Sequence, residues 1–253
     1  MEGSATHAAR PPATPRTAVI WDVLAAELDR GAGRRLAVVD VGGGTGGFAV
    51  PLARGGHDVT VVDPSADALA ALTRRAAEAG VAGRVTAIQD DADRLASLVP
   101  PGTADLVLCH SLLEVVDDPE QVVRAVAAAL RPGGAVSVLV ASRVAAVLSR
   151  AMAGHLEAAY ALAADPDGRA DARDMLRRRF DTAGASALLA AAGLTVEKVH
   201  GIRVLADLIP APVAEADPAT LRALELRLAA RSPYRDIAAQ IHLLGRRGDP
   251  TGG

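Results

Sequence analysis

Aromatic residues make up only 2% of this 253-residue chain: two Phe, two Tyr and one Trp. Such scarcity argues against a surface that stacks a run of bases, and it leaves Ala, Val and Leu to build the core. A single cysteine, Cys109, excludes an internal disulfide framework and the Cys-rich zinc and redox patterns, and points to a reducing cytosol. Asparagine is absent and Lys198 is the only lysine, a bias of composition that carries no chemistry of its own. No long apolar run is present. The most apolar later stretch, residues 135–148, is interrupted by Arg143 and falls short of the ~20 residues a membrane span needs. Residues 1–15 hold three prolines and no apolar stretch, so they read as a flexible arm instead of a signal peptide. Excess charge of one sign is missing too. With 27 basic and 30 acidic residues the net charge is -3, which excludes a uniformly basic coat but leaves room for a local basic face.

Half of the residues are hydrophobic, and from Leu36 onward short β-branched runs alternate with longer Ala/Leu/Arg segments of helical period. That alternation predicts an α/β fold, a Rossmann-like doubly wound sheet covered by helices on both faces. Strands are expected at 36–41, 58–63, 84–89, 104–109 and 135–141. Helices are expected at 66–79, capped by Ser65, and at 119–130, capped by Asp118 with Pro119 in the first turn. Residues 142–180 read as a helical, Arg-bearing insertion after strand five, followed by a helix at 183–192. A strand at 195–204, a helix at 218–230 and an apolar run at 237–244 complete the pattern. No crossover helix separates the last two, so the final strand is expected to run antiparallel.

The first strand runs into Asp40-Val41-Gly42-Gly43-Gly44-Thr45-Gly46-Gly47. Glycines there let the chain turn sharply and expose main-chain N–H groups to a nucleotide-type ligand. Gly42, Gly44 and Gly47 satisfy the dinucleotide fingerprint, so the turn alone does not separate a nicotinamide from an adenosyl ligand. Asp40 favours the second, because a carboxylate at the strand tip suits a cationic amino group and repels a pyrophosphate. Asp63 ends the second strand, where a carboxylate can accept from ribose hydroxyls, and Asp90 with Asp91 ends the third, where one can accept from an adenine amine.

Residues 36–141 therefore resemble the class I S-adenosylmethionine-dependent methyltransferases. Further stretches are similar to one bacterial family, the tRNA 5-carboxymethoxyuridine methyltransferases: Arg16-Thr17-Ala18-Val19-Ile20-Trp21, Cys109-His110-Ser111-Leu112-Leu113-Glu114, Met152-Ala153-Gly154, Gly201-Ile202-Arg203-Val204, Ser232-Pro233-Tyr234 and Ile241-His242. The resemblance implies a methyltransferase domain over 16–245, with 246–253 as a tail, and S-adenosyl-L-methionine as cofactor. Its contacts would fall on Arg16, Gly42, Gly43, Asp63, Ala92 and His110, to which the residues themselves add Asp40, Gly44 and Asp91. The implied acceptor is the carboxylate of a modified wobble uridine, making tRNA a partner of this cytoplasmic enzyme. The sequence departs from the family at Pro11-Pro12-Ala13-Thr14-Pro15, at Ser142-Arg143-Val144 and at Val115, all on the acceptor side. A small-molecule O- or N-methyltransferase is thus the alternative, and a non-catalytic cofactor-binding regulator is a third reading.

A carboxylate acceptor with a pKa near ~4 is already ionised, so it needs a cation to orient it and no base. Arg203 is the candidate catalytic residue for that task. A protonated acceptor would need a base, for which His110 and His155 are available. Arg169, Arg173, Arg177, Arg178 and Arg179 offer either a phosphate grip or a solvated helix face. The six histidines lack ligand spacing, so no metal is expected.

Overall fold

A computed structural model of the chain describes residues 14–169 and 174–248; Arg173, most of the expected arm and the end of the expected tail lie outside them. The described residues form one seven-stranded sheet, β1 (Ala37–Val41), β2 (Asp58–Asp63), β3 (Val85–Gln89), β4 (Ala104–His110), β5 (Leu130–Ala141), β6 (Leu194–Ile202) and β7 (Gln240–Arg247), in the spatial order 3-2-1-4-5-7-6. The first five strands are parallel, and β7 lies antiparallel between β5 and β6. The expected doubly wound sheet with a final antiparallel strand is therefore present. Because the order reverses between β1 and β4, the crevice of the sheet opens beyond the carboxyl ends of those two strands.

The helices are α1 (Ala18–Arg30), α2 (Ala49–Arg54), α3 (Ala66–Glu78), α4 (Leu95–Leu98), α5 (Pro119–Ala129), α6 (Arg143–Met152), α7 (Leu156–Ala164), α8 (Thr182–Ala191), α9 (Ala211–Ala216) and α10 (Pro218–Leu228). Ser65 Oγ accepts from Ala68 N at 3.2 Å and Asp118 Oδ1 from Gln121 N at 2.8 Å, so both expected caps are made. Val19, Ile20, Val23 and Leu24 of α1 pack with Leu72 of α3 against one face of the sheet. Leu95, Val122, Val126 and Leu189, from α4, α5 and α8, cover the other. Leu24 and Leu72 are fully buried, and truncating either to Ala would cost about 3 kcal/mol through lost transfer energy and the cavity left behind.

Three of the boundaries that differ from expectation do so for a plain local reason. β5 begins at Leu130 instead of 135, because Arg131-Pro132-Gly133-Gly134 forms an irregularity within the ladder, between the Ala104–Leu130 and Leu106–Ala135 pairs. β6 stops at Ile202 instead of 204, since Arg203 turns into the left-handed region at φ 59°. The expected tail at 246 is also displaced: β7 continues to Arg247, and Arg246 is tied to Glu27 at 2.8 Å and Glu197 at 2.6 Å. Helix α1, absent from the pattern reading, begins two residues after Arg16, with Thr17 as its N-cap. Among the described residues no helix is long and apolar enough to cross a membrane.

Candidate active site

β1 delivers Asp40 to the crevice with its carboxyl 3% exposed. The chain then turns at Gly42, whose φ of 72° suits glycine and whose N–H donates to Val62 O at 2.8 Å. Gly43 passes directly over Asp40: a Cβ built there would lie 2.6 Å from Asp40 Cγ and Oδ2. Asp40 Oδ2 is buried without a hydrogen-bond partner. Burial, and secondarily the charge of Asp63, push its pKa up from 3.8 to about 7. A buried acceptor left open under a glycine cradle fits a cationic amino group, which is what an amino-acid-bearing ligand such as S-adenosylmethionine presents.

Asp63 closes the other side of the turn. Its Oδ2 accepts from Gly44 N and its Oδ1 from Ser65 N, both at 2.9 Å, and each oxygen keeps a lone pair for a hydroxyl. At the end of β3 the acidic pair divides its work. Asp90 accepts from Asp91 N and meets Arg94 at 3.5 Å, whereas exposed Asp91 caps the turn that buries Ala92. Residues 40, 42, 43, 44, 63, 91 and 92 thus line the carboxyl ends of three adjacent strands, as one extended ligand requires.

His110 ends β4. Its ring packs edge-on against Phe48 at 4.7 Å, and Phe48 in turn meets Trp21 at 5.0 Å. Nε2 lies 2.8 Å from Ser137 Oγ, whereas Nδ1 is buried without a partner. Burial lowers the His110 pKa from 6.5 to about 4. His155, the other candidate base, is exposed at the start of α7 and stands apart from this cluster.

Arg16 and Arg203, remote in sequence, meet on Asp207. Its Oδ1 is 3.3 Å from Arg16 Nη2 and its Oδ2 is 3.3 Å from Arg203 Nε. Arg203 lines a largely apolar cavity of about 280 Å³ with Leu148, Met152 and Ile237, and with the charged Arg179 and Asp207. Arg16 and Asp207 line a second cavity, of about 780 Å³. The turn that carries Arg203 is wound around Glu225 of α10, whose fully buried carboxylate accepts from the amides of Val204, Leu205 and Ala206, each at 2.8 Å. Sequence reasoning missed both Asp207 and Glu225; an acidic residue inside the apolar pattern of 221–228 was the available signal for the second.

Of the insertion arginines, Arg178 and Arg179 are committed within the fold. Arg178 donates to the carbonyls of Leu113, Val116 and Asp117 at 2.9, 2.6 and 3.1 Å. Arg179 forms a 2.5 Å pair with Asp174, with both side chains under 10% exposed. Arg177 meets Asp117 at 2.6 Å. Beneath them Glu114 is 3% exposed, and burial raises its carboxyl pKa from 4.5 to about 7. It lies in the turn between β4 and α5, a loop residue with an interior side chain. Cys109 is fully buried, its thiol pKa pushed up by burial, and takes no reactive form. Among the described residues, no group of three or more His, Cys, Asp or Glu is placed to hold a metal ion.

Residues 38–134 match a family described as "Methyltransferase domain". The chain is 30% identical over 234 residues to the tRNA 5-carboxymethoxyuridine methyltransferase of Escherichia coli (strain K12), a match covering 92% of this chain and 88% of that protein. It is 38% identical over 140 residues to a ubiquinone biosynthesis O-methyltransferase of Pectobacterium carotovorum, covering 55% and 56% of the two chains. Among solved structures, an S-adenosylmethionine-dependent methyltransferase from Mesorhizobium loti superposes with a TM-score of 0.62 at 21% identity, over 90% of this chain and 98% of that one.

Proposed function

The chain belongs to the S-adenosylmethionine-dependent methyltransferases, and from that premise we propose that its acceptor is a carboxylate, the one carried by a modified wobble uridine of tRNA. The observation that carries this reading is the reach of the likeness. It spans 92% of the chain for the tRNA enzyme, so it takes in the insertion and the segment that carries Arg203, from which the acceptor side is built. The match to the Pectobacterium ubiquinone enzyme spans 55%. The position of Arg203 supports the same reading, because a guanidinium on a largely apolar cavity wall is a strong partner for a carboxylate.

When bound, S-adenosylmethionine supplies a methyl group activated on a sulfonium. In this reading Asp40 holds the ligand's amino group, Asp63 its ribose hydroxyls, and Asp91 with Ala92 its adenine. Gly42, Gly43 and Gly44 let the backbone approach it, and Arg16 and His110 complete its surroundings. Arg203 orients the acceptor carboxylate, which is ionised at neutral pH and requires no base. The remaining task is to hold both reactants at attack distance in a dry site. Glu225 serves it by fixing the turn that carries Arg203.

Purified protein incubated with S-adenosylmethionine and tRNA from a strain lacking the wobble methyl ester provides the test, with nucleosides read by mass spectrometry. A uridine derivative heavier by one methylene group, absent with Arg203→Ala, is the expected result. No change in any nucleoside would refute the tRNA reading. One observation favours a second acceptor class, a small apolar molecule: the walls of the Arg203 cavity are largely apolar, and Arg178 and Arg179 are already engaged. Transfer confined to a small-molecule extract would establish that reading instead.

A further inference from the structure

Ser137 of β5 stands between two histidines. Its hydroxyl is 2.8 Å from Nε2 of His110 on β4 and 2.8 Å from Nε2 of His242 on β7. His242 Nδ1 in turn lies 3.4 Å from Nδ1 of His200 on β6. The pairing register places all four side chains on one face of the sheet. Leu139 pairs with both His110 and His242, His242 pairs with His200, and Ser137 lies two residues before Leu139. Ser137 and His242 are fully buried. At one end of this row the unpartnered Nδ1 of His110 lies beside Phe48, just after the glycine turn. At the other end His200 is half-buried, facing Lys198 on its own strand, Asp22 on α1 and Arg235 ahead of β7.

A serine hydroxyl has one proton, so if it donates to one imidazole it must accept from the other, and the tautomers of the two rings are locked together. The row has two settings. In the first, His110 carries its proton on Nε2 and offers a lone pair at Nδ1, while His242 accepts at Nε2 and donates from Nδ1 to His200. In the second, every proton has moved one place along and His110 Nδ1 bears a hydrogen.

We propose that His110, Ser137, His242 and His200 form a proton relay that lets the site methylate a protonated acceptor, a hydroxyl or an amine, as well as a carboxylate. The acceptor's proton bonds to His110 Nδ1, and the acceptor keeps the electron pair with which it attacks. The Nε2 proton of His110 passes to Ser137 Oγ, the hydroxyl proton to His242 Nε2, and the Nδ1 proton of His242 to His200 Nδ1. His200, now protonated on both nitrogens, releases its Nε2 proton to solvent. A relay suits this interior better than a single base. Burial holds the His110 pKa at about 4 and that of His242 well below 6.5, so neither ring can keep a second proton. After the shift both are neutral again, and His200, whose pKa burial, Lys198 and Arg235 lower against the pull of Asp22, carries the charge only in passing before the proton leaves for solvent. The relay goes beyond the carboxylate reading, since a carboxylate brings no proton to it.

The full chain labelled with ¹⁵N-histidine tests the relay directly. Two-bond ¹H–¹⁵N spectra should show His110 and His242 neutral and in matched tautomers, as one setting or as a linked exchange between the two, from about pH 5 to 8. Ser137→Ala should turn both into uncorrelated mixtures, and Ser137→Thr, which keeps the hydroxyl, should preserve the match. With S-adenosylmethionine and catechol as the probe, the unsubstituted protein should transfer methyl with a solvent deuterium effect arising from more than one proton. The rate should fall ~10²-fold in Ser137→Ala and recover in Ser137→Thr. Uncorrelated tautomer mixtures of His110 and His242 in the unsubstituted protein, or equal transfer by Ser137→Ala, would overturn the relay. So would an absence of transfer to both catechol and aniline at every pH, whatever the protein does with a carboxylate.

Discussion

Gly43 runs over Asp40 so closely that a side-chain carbon at position 43 would lie 2.6 Å from the carboxyl group beneath it. Gly43→Ala must therefore displace either Asp40 or the turn, and both belong to the proposed cofactor cradle. Calorimetric titration with S-adenosylhomocysteine should show affinity falling by at least ~10²-fold, the equivalent of about 2.7 kcal/mol. Affinity within a factor of two would place the cofactor elsewhere.

Asp40 also gives the free protein a pH signature. Its folded pKa, about 7, stands above the unfolded value near 3.8. The fold thus binds a proton that the unfolded chain has lost, and this group's contribution to stability declines as pH rises from about 4 to 7. Asp40→Asn removes that slope. The difference in melting temperature between variant and parent should move in the variant's favour from pH 4 to pH 8; a constant difference would contradict the buried, unpaired carboxyl. In the parent, cofactor affinity should rise with pH up to about 7, by up to ~tenfold per unit, because the ionised form is the one that pairs with an ammonium.

Glu225 is expected to act on acceptor binding through the turn it anchors. Glu225→Gln leaves an amide where three backbone N–H groups need an acceptor, at a cost of about 3 kcal/mol. Transfer kinetics at a temperature where the variant is folded should show a raised acceptor KM with cofactor affinity kept, and Glu225→Asp should recover part of the loss. Equal damage to both ligands would make Glu225 a general stabiliser only.

Arg178 offers a contrast with its neighbour. With three carbonyls bound by one guanidinium, Arg178→Gln should destabilise the fold by about 2 kcal/mol in urea unfolding. Arg177→Gln, which removes one exposed pair with Asp117, should cost less than ~1 kcal/mol. Equal losses would show that the carbonyl contacts carry no weight.

The placement of the proposed cofactor residues was legible because the signals for it are local. Asp40, the glycines, Asp63 and Asp91 sit at strand ends that β-branched runs and turn residues mark in the sequence, and the sheet carries them to one edge. Caps such as Ser65 and Asp118 were readable for the same reason. The acceptor half depends on contacts between distant segments. Arg16 and Arg203 meet only through Asp207, and Glu225 reaches back some twenty residues to hold a turn. No periodicity announces such pairs. The insertion arginines show the converse case: their spacing suggests a phosphate grip, yet Arg178 and Arg179 spend their donors inside the protein. Ser137 was invisible as a polar group because it lies within an apolar strand run and gains its role from β7, more than a hundred residues later.

The most direct test of the central claim, a carboxylate acceptor oriented by Arg203, is the base lability of the product. Methylated tRNA from the reaction is treated with mild alkali and the released methanol is measured. A methyl ester should give up its label completely, and Arg203→Ala should form at least ~10²-fold less of it. A label that stays on the nucleoside through alkali would mark an ether or an N-methyl group and contradict the carboxylate account.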